Sequence, residues 1–327
     1  MILMKDILRA ALLAACLAPL AAQSQVWPAK PVRVIIPHPA GGPADVPPRA
    51  MAQVLAQTLG QPLIIENRLG ADGIIGAEAC ARAAPDGYTL CYMSNGVTVV
   101  NAILVSKMPV DMVRDFVPIV HTGTLHSVVM ANASVPVTSM QELIAAAKAK
   151  PETIPYGTYG QINLAYFVYQ WLKMKTGAHF LQVPYKGATQ ALQALLAGEV
   201  HVAGYALGTA LRHVRSGKVR PLAVNSEKRL AALPDVPTLR ELGIEVDYRS
   251  FFGFYAPAGA PDPVVRRVNS EVAKLVKDPQ FAAKYIVTQG FEIDAPAGRS
   301  PEQFAQFLRS ERAEFQKLVK TIGLKPQ

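Results

Sequence analysis

Three short segments have the composition of loops that hold an anion with backbone groups. The first is Pro37-His38-Pro39-Ala40-Gly41-Gly42-Pro43-Ala44-Asp45. It follows a strand-like run (residues 32–37) and precedes a helical one. Its paired glycines free the backbone to turn N–H groups outward, and a following helix N-terminus adds partial positive charge. A plain strand-to-helix turn capped by Asp45 is the competing reading. The second is Ser94-Asn95-Gly96, again between strand and helix. The third is Thr158-Tyr159-Gly160-Gln161-Ile162-Asn163, after a strand over residues 154–156. Ligands of open α/β sheets bind outside the carboxyl ends of strands, so such loops converge on one crevice. Three or four charge-assisted hydrogen bonds of about 1.5–3 kcal/mol each would support micromolar binding.

No catalytic constellation accompanies them. Gly70-Ala71-Asp72-Gly73-Ile74-Ile75-Gly76 reads GxxGxxG, which is not a dinucleotide fingerprint, and neither GxxxxGK[ST] nor GxSxG occurs. The six histidines show no zinc-ligand spacing. His121 and His126 read as satisfied polar residues beside a strand, and Tyr166, Tyr169 and Trp171 as helix packing. The expectation is a binding protein without cofactor or metal, not an enzyme.

The elements that must position these loops alternate between β and α. In the first series, strands over residues 32–37, 63–66, 88–93 and 118–121 enclose helices over 48–59, 74–84 and 97–105. In the second, strands over 127–131, 154–156, 180–183, 200–205 and 219–224 alternate with helices over 140–149, 164–176, 188–197 and 209–216. Thr138/Gln141 and Ser139/Glu142 are candidate capping boxes. A strand over 251–256 and three helical segments close the chain. This is the signature of mostly parallel sheets covered by helices.

The 327 residues are 50% hydrophobic and 17% charged, with a formal net charge of +9, which suits a globular protein of about two domains. The basic excess is dispersed without a dense block, which argues against nucleic acid. Residues 1–24 carry Lys5 and Arg9 before an apolar stretch and a small-x-small site, the pattern of a secretory signal peptide. Leu13-Ala14-Ala15-Cys16 competes as a lipidation site that would tether the protein. Cys80 and Cys91 read as free buried thiols, one helical and one in a strand, although an oxidising compartment would permit a bridge.

WPAKPVRVIIPHPAGGPAD, GQPLIIENRLGADGIIGAEACARAAPDGYTL, VPYKGATQALQALLAGEV, SGKVRPLAVNSEKRLAALPDVPTLRELG and FFGFYAPAGAP together resemble the tripartite tricarboxylate transporter substrate-binding proteins, the TctC or Bug receptor family. The resemblance implies a type II periplasmic-binding-protein fold of two α/β domains joined by crossing strands. Domain 1 would span residues 25–121 and 252–327, and domain 2 residues 122–251. It implies ligand-binding positions at Pro39, Ala40, Gly41, Gly42, Asp45, Ser94, Asn95, Gly96, Thr158, Tyr159, Gly160, Gln161 and Asn163. It also implies a monomeric periplasmic receptor that takes a small organic acid to membrane permease subunits. A receptor that signals to a membrane sensor is the alternative. Where the family has small hydroxyl-rich residues after the second-domain glycine, this chain has Gln161, Ile162 and Asn163. Tyr205-Ala206 replaces a common Asp-Asn. With Tyr159, Ile162 and Tyr205, these departures suggest a less polar half-pocket and an acid with a bulky or aromatic body.

Overall fold

A computed structural model describes residues 27–160, 163–246 and 248–326. The strands are β1 (Val32–Ile36), β2 (Leu63–Asn67), β3 (Thr89–Ser94), β4 (Phe116–Leu125), β5 (Ser127–Asn132), β6 (Pro155–Tyr159), β7 (Leu181–Tyr185), β8 (Val202–Ala206), β9 (Val219–Asn225), β10 (Ser250–Pro257) and β11 (Phe291–Glu292). The helices are α1 (Val46–Leu59), α2 (Ile74–Ala81), α3 (Asn101–Leu104), α4 (Met140–Ala149), α5 (Leu164–Thr176), α6 (Ala188–Ala197), α7 (Leu207–Arg215), α8 (Asp262–Lys277), α9 (Pro279–Tyr285) and α10 (Pro301–Thr321). The signal-peptide and Cys16 readings lie outside the described residues, as do Gln161 and Ile162.

Two sheets form, with strand orders β11-β4-β10-β3-β1-β2 and β7-β6-β8-β5-β9. β1 runs parallel to β2 and β3, and β6 parallel to β7 and β8. The sheets are more mixed than the alternation suggests. β10 is antiparallel to both β3 and β4, and β5 to both β8 and β9. The reason is the crossing of the chain. β4 of the first sheet passes through the single residue His126 into β5 of the second, and β10 returns from the second sheet into the first, against β4.

Alternation along each strand fills both faces of the sheets. Val32, Val34 and Ile36 of β1 pack with Met51 and Leu55 of α1 and Val268 and Val272 of α8. Ile35 faces the other way, into the cluster holding Ala77 of α2 and Phe304 of α10. α10 reaches both sheets: Phe304 lies 5.3 Å from Tyr255 of β10, and Phe315 lies 5.4 Å from Phe167 of α5. Of the two candidate capping boxes before α4, the structure uses Ser139, whose hydroxyl accepts from Glu142 N. The Glu142 carboxylate accepts instead from Thr138.

Two sequence expectations change. Cys80 and Cys91 are bonded to each other as a disulfide, with Cα atoms 6.3 Å apart. Their helix and strand were read correctly. The packing of α2 on β3, which brings the two fully buried sulfurs together, is tertiary and leaves no local trace. His121 is buried, but neither ring nitrogen has a hydrogen bond. It is packed among Phe251, Phe304 and Phe307, and burial holds its pKa near 3, with Arg249 adding to the shift, so the ring is neutral. Among the described residues, no helix is long and apolar enough to cross a membrane.

Candidate functional site

The loop between β1 and α1 is organised from inside by Asp45. Its Oδ2 accepts from Gly41 N at 2.9 Å and from Arg49 Nε at 2.7 Å, and its Oδ1 accepts from Asn67 Nδ2 at 2.8 Å. Burial raises the carboxyl pKa as the largest single effect. The hydrogen bonds from Arg49, Gly41 and Asn67, with the Arg49 charge, still leave it below the usual value. The expected capping bond to α1 is absent. The backbone donors are also spent: Asp45 N and Val46 N donate to Gly42 O, Arg49 N donates to Asp45 O, and Pro47 and Pro48 carry no N–H. The start of α1 therefore offers no open row of donors, contrary to the sequence reading. Asp45 and Gly41 hold the loop in shape instead.

A cavity of about 440 Å³ lies beside the carboxyl ends of β1 and β3. Of the residues expected from sequence, Pro39, Ser94, Asn95 and Gly96 line it. β3 ends at Ser94, and a helical run over residues 95–104 begins at once. The first N–H groups of such a run have no partner within the helix and carry the positive end of its dipole. Asn95 is 3% exposed, and its Oδ1 has no well-formed hydrogen bond. As an amide oxygen it can only accept, so its partner would be a donor and not a carboxylate oxygen.

Four groups of this cavity were not among the binding positions expected from sequence. His38 lines it, and burial lowers its pKa to about 4, so the imidazole is neutral. Phe252 of β10 stands in register with Ser94. Tyr248, just before β10, lines the cavity too, and its backbone carbonyl accepts from Asn225 Nδ2 at the end of β9. Burial pushes the Tyr248 hydroxyl up to about 12, while Asn95 and Ser250 nearby pull the other way. The fourth is the turn between β2 and α2. Gly70, Ala71, Asp72 and Gly73 have φ of 124°, 46°, 50° and 90°, four successive residues in a region that L side chains avoid. For Ala71 and Asp72 this costs roughly 1–2 kcal/mol each. The turn is held by Asn101 Nδ2, which donates to Asp72 O at 3.0 Å, and by close packing. A Cβ on Gly73 would stand 2.6 Å from Val97 Cγ2. Its place at the carboxyl end of β2, beside β1 and β3, was the signal available in the sequence.

The second-sheet residues do not line this cavity. Thr158 is buried, and its Oγ1 accepts from Gln182 Nε2 at 3.0 Å. Tyr159 donates its hydroxyl to Gly204 O at 2.9 Å and stacks on Tyr205 at 5.4 Å between ring centres. Asn163 caps α5: its Oδ1 accepts from Tyr166 N, and its Nδ2 donates to Tyr159 O. Gly160 turns the chain at φ 65°. Tyr159 and Tyr205 pack into the second sheet's own core. The aromatic wall of the cavity is supplied by Tyr248 and Phe252 instead. Tyr248 also touches the second sheet's layer, with its ring 4.8 Å from Phe167 of α5.

Among the described residues, no group of three or more His, Cys, Asp or Glu side chains is placed to hold a metal. Residues 48–324 match the family model for the tripartite tricarboxylate transporter family receptor, TctC. The chain belongs to this family. Among curated relatives, this TctC receptor is 34% identical over 307 residues to a Cupriavidus necator protein encoded in the gbd 5' region (94% of this chain, 91% of that one). It is 32% identical over 304 residues to BugT of Bordetella pertussis, covering 92% of each. Among solved structures, it is similar to R. palustris Rpa4515 with adipate, at 31% identity and a TM-score of 0.79 over 92% of this chain and 100% of the other. It is also similar to MatC of Rhodopseudomonas palustris with bound malate, at 29% identity and a TM-score of 0.75 over 90% and 100%. TctC receptors of this kind are periplasmic and bind small carboxylates.

Proposed function

We propose that this chain is a periplasmic solute receptor that binds a small organic carboxylate with an apolar or aromatic body. It would deliver that acid to the permease subunits of a tripartite tricarboxylate transporter. The observation that carries the reading is the cavity at Ser94, Asn95 and Gly96, where a helical run opens whose first N–H groups have no acceptor within the helix. A carboxylate there would be held by backbone donors, with no Lys or Arg lining the cavity. Its body would lie against Phe252 and Tyr248. Two relatives solved with dicarboxylates, adipate and malate, support the ligand class.

The proposed moving bodies are residues 25–121 with 252–327, and residues 122–251. The crossings at His126 and before β10 would act as the hinge, and Thr158, Gly160 and Asn163 beside the end of β6 would meet the ligand on closing. Pro39 would form part of the rim, and Gly41, Gly42 and Asp45 would keep its shape. Export through the leader at residues 1–24 would bring the protein to its ligand. Native mass spectrometry of the protein as purified from its host tests the reading. A co-purified carboxylic acid is the expected result. A bound sugar, metal or cationic peptide without a carboxylate at the cavity would contradict it.

A further inference from the structure

The single residue between β4 and β5 carries a side chain that touches both sheets. His126 is 5% exposed. Its Nδ1 lies 3.0 Å from the backbone carbonyl oxygen of Asn225, at the end of β9 in the second sheet. Its Nε2 lies 3.2 Å from Glu292 Oε2, in β11 of the first sheet. Both partners are acceptors. A neutral imidazole has one N–H and one lone pair and can serve only one of them, whereas an imidazolium donates on both sides. The Nε2 contact is close but not well aligned, so it acts mainly as a charge pair. The ionised groups acting on the ring are Glu292 and Asp294, and Thr124 Oγ1 donates to Asp294 Oδ1 at 2.8 Å. Leu207, whose N–H donates to His126 O, and Gly208 begin α7 without a charge. The flanking positions on β8 and β10, Ala206 and Ser250, bear none either.

The layers of the two sheets meet beside this ring. A Cβ on Gly290, just before β11, would stand 2.6 Å from Gly208 N, and one on Gly208 would stand 3.0 Å from Gln289 O. Two glycines thus let the start of α7 rest backbone to backbone on the turn before β11. In this arrangement Thr158, Gly160 and Asn163 do not line the cavity, so the second sheet stands back from the ligand loops. Closing would turn Asn225 relative to Glu292, and a rigid ring meets both acceptors well over a narrow range of angles only. We propose that His126 is a positioning residue for ligand capture: as an imidazolium it clasps the two sheets in the open arrangement, and loss of its proton releases them to close. Burial opposes the charge, but Glu292, Asn225 and Asp294 outweigh it, so the ring keeps its proton to a higher pH than a free histidine. The Asn225 side-chain amide also donates to Tyr248 O, and Tyr248 lines the cavity, so the clasp reaches the ligand wall through one residue. The inference rests on the two-body closure set out for the receptor.

Titration calorimetry tests it, using protein unfolded and refolded to remove co-purified ligand, with adipate, malate and 3-phenylpropanoate as probes. Each titration is run between about pH 6 and about pH 8.5, in paired buffers of different ionisation enthalpy that count the protons exchanged. Wild type should release up to about one proton per acid bound and gain affinity on the order of threefold or more towards the alkaline end. His38 and His121, with pKa values of about 4 and about 3, change charge below this window. In His126→Gln the release and the pH dependence should both vanish, with binding at the acid end at least as tight as in wild type. Glu292→Gln, at a half-exposed position, lets a neutral ring accept from an amide and should also remove both effects. It decides alone if His126→Gln does not fold. Binding without proton release, tighter binding towards acid, or a release that survives in the variants overturns the role of His126 while leaving a carboxylate receptor in place. Failure of every carboxylate to bind removes both readings.

Discussion

At the scale of single residues, position was readable and direction was not. Asp45 stands where a helix cap or a ligand contact would be expected, yet its carboxylate turns back to Gly41, Arg49 and Asn67. Asn67 lies in β2, more than twenty residues away, and no local pattern announces it. Tyr159 and Tyr205 were expected to make the second half of the site less polar. Their rings satisfy the core of the second sheet, and the aromatic wall comes from Tyr248 and Phe252 across a crossing that sequence separation hides. Removing the Asp45 carboxylate leaves Gly41 N and Arg49 Nε without their acceptor, and leaves Asn67 Nδ2 with His38 O alone. Asp45→Ala should therefore lower unfolding stability by about 2–3 kcal/mol in urea titration. Because the loop shape is its task, the variant should also weaken carboxylate binding. Unchanged stability would contradict this role.

At the scale of elements, the strand and helix series was legible from periodicity and turn residues. The antiparallel insertion of β10 and the disulfide were not, because both depend on which elements meet. Cys80 and Cys91 are eleven residues apart, and closing so short a loop should stabilise the fold by about 3 kcal/mol. Reduction, or Cys80→Ala with Cys91→Ala, should move the urea midpoint down accordingly, with equal midpoints for oxidised and reduced protein as the contrary result.

The single-residue crossing between β4 and β5 carries a titrating pair. His126 Nδ1 faces Asn225 O at 3.0 Å, and its Nε2 lies 3.2 Å from Glu292 Oε2. Burial lowers the His126 pKa as the largest single effect. The bonds to Glu292 and Asn225 and the charges of Glu292 and Asp294 together raise it above 6.5. A raised base stabilises the fold fully below its unfolded pKa, and this contribution is lost as pH rises through the folded value. Glu292 is lowered by its hydrogen bond to His126, so its share is lost as pH falls below 4.5 through its folded value. Asp294, raised by burial, favours the acid end of the same window. The pair should support the fold best between about 4.5 and 6.5. His121 and His38, lowered by burial, have the opposite sign and weaken the fold as pH falls from 6.5 towards about 3 and about 4. A difference against a variant isolates the pair: wild type should gain more stability over His126→Gln at pH 6 than at pH 8.5. An equal or reversed difference would show that the crossing does not titrate in this way.

At the scale of the whole molecule, two sheets exchange strands through two crossings, and a cavity at the carboxyl ends of β1 and β3 abuts the residue that begins the return. The path Glu292, His126, Asn225, Tyr248 joins the crossing to the cavity wall through neighbouring side chains and carbonyls. The general architecture and one of the loops, Ser94 to Gly96, were legible because strand-loop-helix order fixes which end of a sheet is open. The turn at Asp72 was passed over because its glycines fail as a nucleotide motif, although its strained backbone lies in the same wall. The most direct test of the central claim is calorimetric titration of ligand-stripped protein with a panel of carboxylates, on wild type and Asn95→Asp, which sets a negative charge beside the proposed site. The expected result is saturable one-to-one binding of at least one acid in the micromolar range, weakened about tenfold or more by Asn95→Asp. Binding of no carboxylate, or equal affinity in the variant, would contradict a carboxylate site at Ser94 to Gly96.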